Sequence, residues 1–301
     1  SYSVTGVQTC ALPISYVAHE LLREGKLDFD RPLNLYIGES ADPAARGITA
    51  RHVLSHCSGL PNWRARPGEP LRPESPPGQA YRYSGEGYVY LSRALENITG
   101  RAYGDLVQER VFGPLGMSGS SVFRRPDREE RMATGHDRRG NVLSLDGKQR
   151  FWSIASEAKK PVASWRYEDA AHEFTRAGIP AVPNNLTPNA AASICTTGPD
   201  YANFVLRAIR NPAVHELHTV IRQGTGWRFG FGLGWGVEQT AGRTFLWQWG
   251  DNGGYKNFVA VDPSAQTGVF AFTNGDSGLR ICDRVAAHAN GVEHAAFLWL
   301  S

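Results

Sequence analysis

The sequence predicts an α+β fold, and two patterns within its 301 residues support that prediction. In the first two thirds of the chain, apolar residues recur at the spacing of amphipathic helices, most regularly at residues 86–97. After Gly226 the pattern changes to short strands divided by turn residues: FGFGLGWGVEQ, TFLWQWG, KNFVAVDP and GVFAFTN. Connections this short join antiparallel neighbours. We therefore expect an antiparallel sheet accompanied by helices.

Apolar spacing and the positions of turn and helix-ending residues predict the remaining helices and loops. Helices are predicted at residues 16–24, 48–54, 86–97, 199–209 and 283–300, the last apolar enough to lie on the sheet. Gly25 and Gly100 end two of these helices. We also predict an extended segment at residues 26–37, loops with short strands at residues 124–188, and a surface helix at the HELH stretch of residues 215–218.

Composition and charge exclude several classes of protein. A chain that is 41% apolar and 20% charged can bury a large core, as ordinary globular proteins do. No segment approaches the roughly 18 consecutive apolar residues of a membrane span. The formal charge of +3 is too weak to indicate a nucleic-acid partner. We expect neither a membrane span nor nucleic-acid binding.

The cysteines and histidines indicate no metal site. The four cysteines, Cys10, Cys57, Cys195 and Cys282, are widely spaced and form no C-x-x-C pair. The HELH histidines stand three apart and do not match the zinc motif H-E-x-x-H. The glycines of GFGLGWG lie among aromatic residues and lack the strand-turn-helix setting of a nucleotide loop. We expect buried free thiols and no cofactor.

Three segments in a fixed order carry the functional signal. They are ITARHVLSHCSGLP at residues 48–61, PGQAYRYSGEGYVYL at residues 77–91 and WQWGDNGGYKNFVAVDP at residues 247–263. Together they resemble the family of serine β-lactamases, penicillin-recognising D-alanyl peptidases and related esterases. In this resemblance His56 is a packing or hydrogen-bonding residue and not a catalytic one.

The resemblance covers roughly residues 16–300 and implies a serine hydrolase that works through an acyl-enzyme. Its substrate would be a small molecule or a peptide: a β-lactam, a D-alanyl peptide or a small ester. It implies a mostly helical lobe at residues 16–210 beside an antiparallel sheet and C-terminal helix at residues 211–301, the two forming one catalytic domain. It also favours a periplasmic or secreted protein.

The family's second motif, Tyr-x-Asn, corresponds here to residues 83–85. Tyr83 then takes the role of an acid-base partner, because a phenol beside a cation can exchange a proton with the nucleophile. Gly85 replaces the asparagine, so the side-chain amide that would contact the substrate is absent. We expect Tyr83 to be catalytic and Gly85 to line the substrate site.

The third motif, Lys/His-x-Gly, corresponds to Gln248, Trp249 and Gly250, and we expect these residues to bind substrate. Because Gln248 is neutral, it cannot anchor a substrate carboxylate by charge. The backbone N–H of Asp251 would be one oxyanion donor, with the N–H of the nucleophile as the other. Lys256 could supply the missing charge or could be a solvated strand lysine.

The first motif, Ser-x-x-Lys, is missing where the family would have it. Counting back from Gly25 with the family's spacing places the nucleophile at Gln8 and the amine at Ala11, and neither side chain can act. Residues 4–14, VTGVQTCALPI, are the translation of a sequencing-adapter sequence. We infer that residues 1–15 are artefactual and that the chain lacks its nucleophile and N-terminal strands; a genuine, divergent N-terminus is the alternative.

One Ser-x-x-Lys does occur, from Ser156 to Lys159, but it follows Tyr83 whereas the family's motif precedes the tyrosine. We interpret it as a chance match. If the N-terminus is genuine, the missing nucleophile, Gly85 and Gln248 favour a different function, that of a non-catalytic homologue which binds peptides or cell-wall fragments.

Overall fold

The computed structural model describes residues 5–6, 11–65, 69–144, 146–179 and 182–300. The helices are α1 (Ala11–Arg23), α2 (Asn34–Ile37), α3 (Ala50–Leu54), α4 (Gly85–Thr99), α5 (Tyr103–Val107), α6 (Asp146–Glu157), α7 (Tyr167–Arg176), α8 (Gly198–Ala208), α9 (Leu279–Asn290) and α10 (Phe297–Leu300). The strands are β1 (Thr5–Gly6), β2 (Cys195–Thr196), β3 (Thr219–Gly224), β4 (Trp227–Phe231), β5 (Gly236–Thr240), β6 (Arg243–Asp251), β7 (Lys256–Asp262) and β8 (Thr267–Thr273). The α+β prediction is confirmed.

Strands β3 to β8 form one antiparallel sheet in the order in which they follow along the chain. The predicted antiparallel pairing is confirmed, but FGFGLGWGVEQ is not one strand: it turns back at residues 232–235 and forms parts of β4 and β5. Strand β3 is an additional strand that the pattern did not reveal. Strands β3 and β8 are the two edges. The short strand β1 pairs instead with β2, outside this sheet.

The two faces of the sheet bury different cores because side chains alternate along each strand. Leu246 of β6 and Val259 of β7 belong to a core shared with α1, α4 and α8. Trp247 and Phe258, one position away on the same strands, belong to a second core with α9. The sheet is therefore covered on both faces, with the larger group of helices on one of them.

The middle of the chain differs from its prediction. Residues 124–188 contain helices α6 and α7 rather than short strands. Helix α7 starts where the Asp169 carboxylate accepts a hydrogen bond of 2.8 Å from the backbone N–H of Arg166. Its buried residues, Ala170 and Phe174, stand four apart and pack into a small core of their own. Only two of its ten residues are both apolar and buried, so the helical period in the sequence is weak.

Two shorter predictions are also wrong. Asn34–Ile37, expected to be extended, forms the single helical turn α2 just after Pro32. Residues 215–218 are not helical; they follow a 3₁₀ turn at Pro212–Val214 and lead into β3. Both stretches are too short for periodicity to distinguish a turn from the neighbouring element.

Within the described residues, no helix is both long enough and apolar enough to cross a membrane. Cys57, Cys195 and Cys282 are buried free thiols, as expected. Cys10 lies outside the described residues.

Candidate active site

A tight turn after α3 brings His56 beneath the loop that precedes α4. Thr49 caps α3 by accepting a hydrogen bond from the His52 N–H. His56 then adopts a φ of +52°, which is uncommon for a residue other than glycine. Gly59 also has positive φ, and a Cβ there would overlap the backbone of Ser75. The sequence HCSGLP thus encodes a specific turn and not merely the end of a helix.

Hydrogen bonds join this turn to the Tyr83 loop. The Arg82 N–H donates to the His56 carbonyl at 2.7 Å, and the Ser84 N–H donates to His56 Nδ1 at 3.4 Å. Ser84 caps α4: its hydroxyl accepts from the Gly87 N–H at 2.9 Å. Since residues on both sides of Tyr83 are held in this way, the position of the tyrosine is fixed by its backbone.

The Tyr83 ring contacts aromatic side chains from two other parts of the molecule. It stacks on the His56 imidazole, with ring centroids 4.6 Å apart, and lies 4.8 Å from the Trp249 ring of β6. Burial lowers the pKa of His56 to about 3, so this imidazole is neutral at physiological pH. The structure thereby brings together the second and third predicted motifs and agrees with a packing role for His56.

The indole of Trp63, which no sequence motif identified, occupies the space that a side chain at Gly85 would need. A Cβ at Gly85 would lie 2.7 Å from the Trp63 ring. The Gly85 N–H donates to Asn62 Oδ1 at 3.0 Å. An asparagine could not occupy this position unless Trp63 moved. The chain therefore departs from Tyr-x-Asn at a position where the Trp63 ring fills the space of a side chain.

Gln248 and Trp249 lie on opposite faces of β6. Trp249 shares the face of Trp247, whereas Gln248 shares the face of Leu246 and is 3% exposed. The Gln248 carbonyl Oε1 accepts a hydrogen bond of 3.1 Å from the Trp249 N–H. Of these two predicted substrate-binding residues, it is Trp249 that the structure places against Tyr83.

The backbone of Asp251 faces away from the neighbouring strand β7. The Asn252 N–H donates to the Tyr255 carbonyl at 3.1 Å, and these residues stand opposite each other. In an antiparallel ladder the next pair, Asp251 and Lys256, is then not hydrogen-bonded, so the Asp251 N–H points outward. On that side β5 does not reach as far as Asp251, because its pairing with β6 extends only to Gly236 opposite Trp247. The strand edge at Gly250 and Asp251 therefore extends past its neighbour.

Lys256 is not the solvated strand lysine that the sequence suggested. It is 8% exposed and forms ion pairs with Asp251 and, at 3.3 Å, with Asp276. Two carboxylates oppose one ammonium in this cluster. Lys256 consequently has no charge to spare for a substrate carboxylate near Gln248.

The position assigned to the missing nucleophile, Gln8, lies outside the described residues. Ala11, at the position of the missing amine, is the first residue of α1 and is buried. Ser156 lies at the end of α6, not at its start, and both it and Lys159 are exposed. The Ser156 hydroxyl donates to the Ser153 carbonyl at 2.8 Å. This arrangement agrees with a chance match.

Comparison with known proteins defines the class. The fold is similar to that of the octameric penicillin-binding protein homologue from Pyrococcus abyssi, with a TM-score of 0.67, 18% sequence identity, and coverage of 91% of this chain and 62% of that one. The Beta-lactamase family profile matches residues 13–290. The chain belongs to the Beta-lactamase family.

Curated relatives match over shorter stretches. Penicillin-binding protein 4* of Bacillus subtilis (strain 168) is 31% identical over 114 residues, which are 30% of this chain and 25% of that protein. Lovastatin esterase of Penicillium rubens is 29% identical over 137 residues, 36% of this chain and 32% of that protein. The match thus spans about a quarter to a third of these two relatives.

Proposed function

We propose that the protein from which this chain derives is a serine hydrolase that acts through an acyl-enzyme, with Tyr83 as its acid-base residue. The contact between Tyr83 and Trp249 carries this proposal, because it joins the loop of the second motif to the strand of the third. Membership of the Beta-lactamase family supports the same chemistry. As written, the chain lacks the nucleophile and is inactive in this proposal.

Each group has a defined part in the proposed reaction. A serine hydroxyl ahead of α1 attacks the acyl carbon while its proton passes to the paired lysine or to Tyr83. The negative charge that develops on the carbonyl oxygen meets the outward-pointing N–H of Asp251 and the N–H of the serine itself. The proton then passes to the leaving group, and water hydrolyses the ester of the acyl-enzyme.

Neutral anchoring favours small amides and esters as substrates over β-lactams with a carboxylate beside the reacting bond. Gln248 is neutral and only 3% exposed, and Lys256 is already paired with two carboxylates, so neither side chain meets such a carboxylate with a free charge. The similarity to a protein named lovastatin esterase supports an ester substrate. A D-alanyl peptide with a free carboxylate beside its reacting amide is disfavoured on the same ground, whereas D-alanyl amides and esters fit the proposal.

The test uses the restored chain, which we define as the protein translated from the resequenced source gene with its own residues ahead of Tyr16. With p-nitrophenyl acetate it should release a burst of one p-nitrophenol per chain, as expected when an acyl-enzyme accumulates. The chain as written should give no burst. A restored chain that binds peptides but shows neither burst nor turnover would support the non-catalytic homologue instead.

A further inference from the structure

A cavity of about 290 Å³ opens one residue beyond the proposed oxyanion donor Asp251. The turn residues Asn252 and Gly253, which follow β6, line one side of it, and Lys148 of α6 lines another. Among the described residues, the other walls include Arg124 and several apolar side chains, with Leu143, Leu186 and Ile194 among them. We refer to it as the Lys148 cavity.

The charged side chains at the wall of the Lys148 cavity do not neutralise one another. Arg124 binds the Glu129 carboxylate with two hydrogen bonds, of 2.7 Å from Nε and 2.5 Å from Nη2. Lys148 Nζ lies 3.3 Å from the same carboxylate. Two cations thus share one anion, which leaves one positive charge at the wall of the cavity.

The two cations differ in their capacity for a further partner. The Arg124 side chain is 7% exposed and also donates to the Tyr255 hydroxyl at 3.4 Å. Lys148 is 16% exposed, and an ammonium has three donors. Burial, reinforced by the charge of Arg124, lowers the pKa of Lys148, so the ammonium gains from any anion that approaches it. Lys148 is therefore the group that an acidic ligand would contact.

We propose that the Lys148 cavity binds a carboxylate of the substrate, so that the site accepts acyl groups that carry an acid at their far end. This inference rests on the proposed function, because the cavity adjoins the end of β6 where Asp251 is the proposed oxyanion donor. Gln248 is neutral and lies within β6. Lys148 lies on α6 and lines the cavity next to the turn that follows β6. The site thus excludes charge beside the reacting bond and attracts it at a distance.

The direct test is binding of glutarate to the full chain as written, measured by isothermal titration calorimetry. Glutarate should bind, and its uncharged counterpart glutaramide should not. Lys148→Met should weaken glutarate binding about 10-fold or more, the effect of losing one charge-assisted hydrogen bond. Lys148→Arg, which keeps the charge, should stay within about threefold.

Lys26→Met is the matched control, because Lys26 is an exposed lysine paired with Glu24 and should leave glutarate binding unchanged. Equal affinity of wild type and Lys148→Met for glutarate would overturn the proposal. So would equal binding of glutaramide, or no binding of glutarate up to about 10 mM. None of these binding measurements needs the nucleophile. If the restored chain shows neither burst nor turnover while glutarate still binds through Lys148, the cavity stands and the hydrolase proposal fails.

Discussion

The imidazole of His56 stacks on the phenol ring of Tyr83, with centroids 4.6 Å apart and an angle of 30° between the planes. This contact couples the turn after α3 to the residue proposed for acid-base catalysis. His56 can serve in this way because it is neutral: its Nδ1 accepts the Ser84 N–H, which a protonated ring could not do. The geometry around Tyr83 therefore depends on an uncharged histidine.

Acid should destabilise the protein through His56. Burial lowers the folded-state pKa to about 3, against about 6.5 in the unfolded chain, so between these values the unfolded state binds the extra proton. The stabilisation is complete above pH 6.5 and decreases as the pH falls towards 3, by about 3 kcal/mol at pH 4.5. In His56→Asn, which tolerates the positive φ, this pH dependence should be absent.

Urea unfolding at pH 7 and pH 4.5 measures the effect. The free energy of unfolding of wild type should exceed that of His56→Asn by less at pH 4.5 than at pH 7. His172→Asn, at a histidine whose side chain is 74% exposed, should leave the wild-type pH dependence intact. If the difference between wild type and His56→Asn is the same at both pH values, His56 is not a neutral buried residue.

Removing the Tyr83 hydroxyl should impair catalysis in the restored chain. Tyr83→Phe should lower kcat by about 10²–10⁴-fold, the usual effect of losing an acid-base group. The ring stays, so stacking on His56 and contact with Trp249 are retained. Ester hydrolysis is the assay, and Ser156→Ala is the control that should change almost nothing. Similar losses in both variants would mean that the motifs have been assigned to the wrong residues.

A lysine at position 248 should change substrate preference in the restored chain. Charge-assisted hydrogen bonds are worth roughly 1.5–3 kcal/mol, against about 0.5–1.5 kcal/mol for neutral ones. Gln248→Lys should therefore raise kcat/KM for a penicillin relative to a short-chain ester by about tenfold. Thr244→Lys adds the same charge to the same face of β6 and should not alter the ratio. A wild-type preference for penicillin that the lysine leaves unchanged would refute neutral anchoring.

The chain as written should self-associate through β8. Thr267–Thr273 carries no charged side chain, and no strand among the described residues pairs with its outer edge. Lysine on an edge strand opposes intermolecular pairing. Thr267→Lys should shift size-exclusion light scattering towards monomer, whereas Ser156→Lys, at an exposed position of α6, should not. A wild-type chain that is monomeric and melts in one sharp transition would contradict this expectation.

The elements that the sequence revealed were those with long, regular patterns. Helix α4 follows four apolar positions at helical spacing, and strands β6 to β8 follow apolar runs with turn residues between them. Helices α6 and α7 were missed because they pack into a small separate core around Phe151 and Trp165, which needs few apolar residues. Their positions depend on tertiary contacts that no local window contains.

The candidate site was predictable only in part, for a related reason. Ordered segments identified Tyr83 and the end of β6, but not which side chain of β6 meets the tyrosine. Because side chains alternate along a strand, Trp249 contacts Tyr83 and Gln248 lies on the opposite face of β6. Trp63 and Lys148 gave no sequence signal at all, since each acquires its role from a partner distant in the chain.

Covalent labelling of the nucleophile tests the central claim most directly. The restored chain and the chain as written are each treated with a fluorophosphonate, and the modified peptide is identified by mass spectrometry. The account predicts one adduct per restored chain, on a serine 17 residues before Gly25 and three before a lysine, and no stoichiometric adduct on the chain as written. Labelling of Ser156, or equal labelling of both chains, would contradict it.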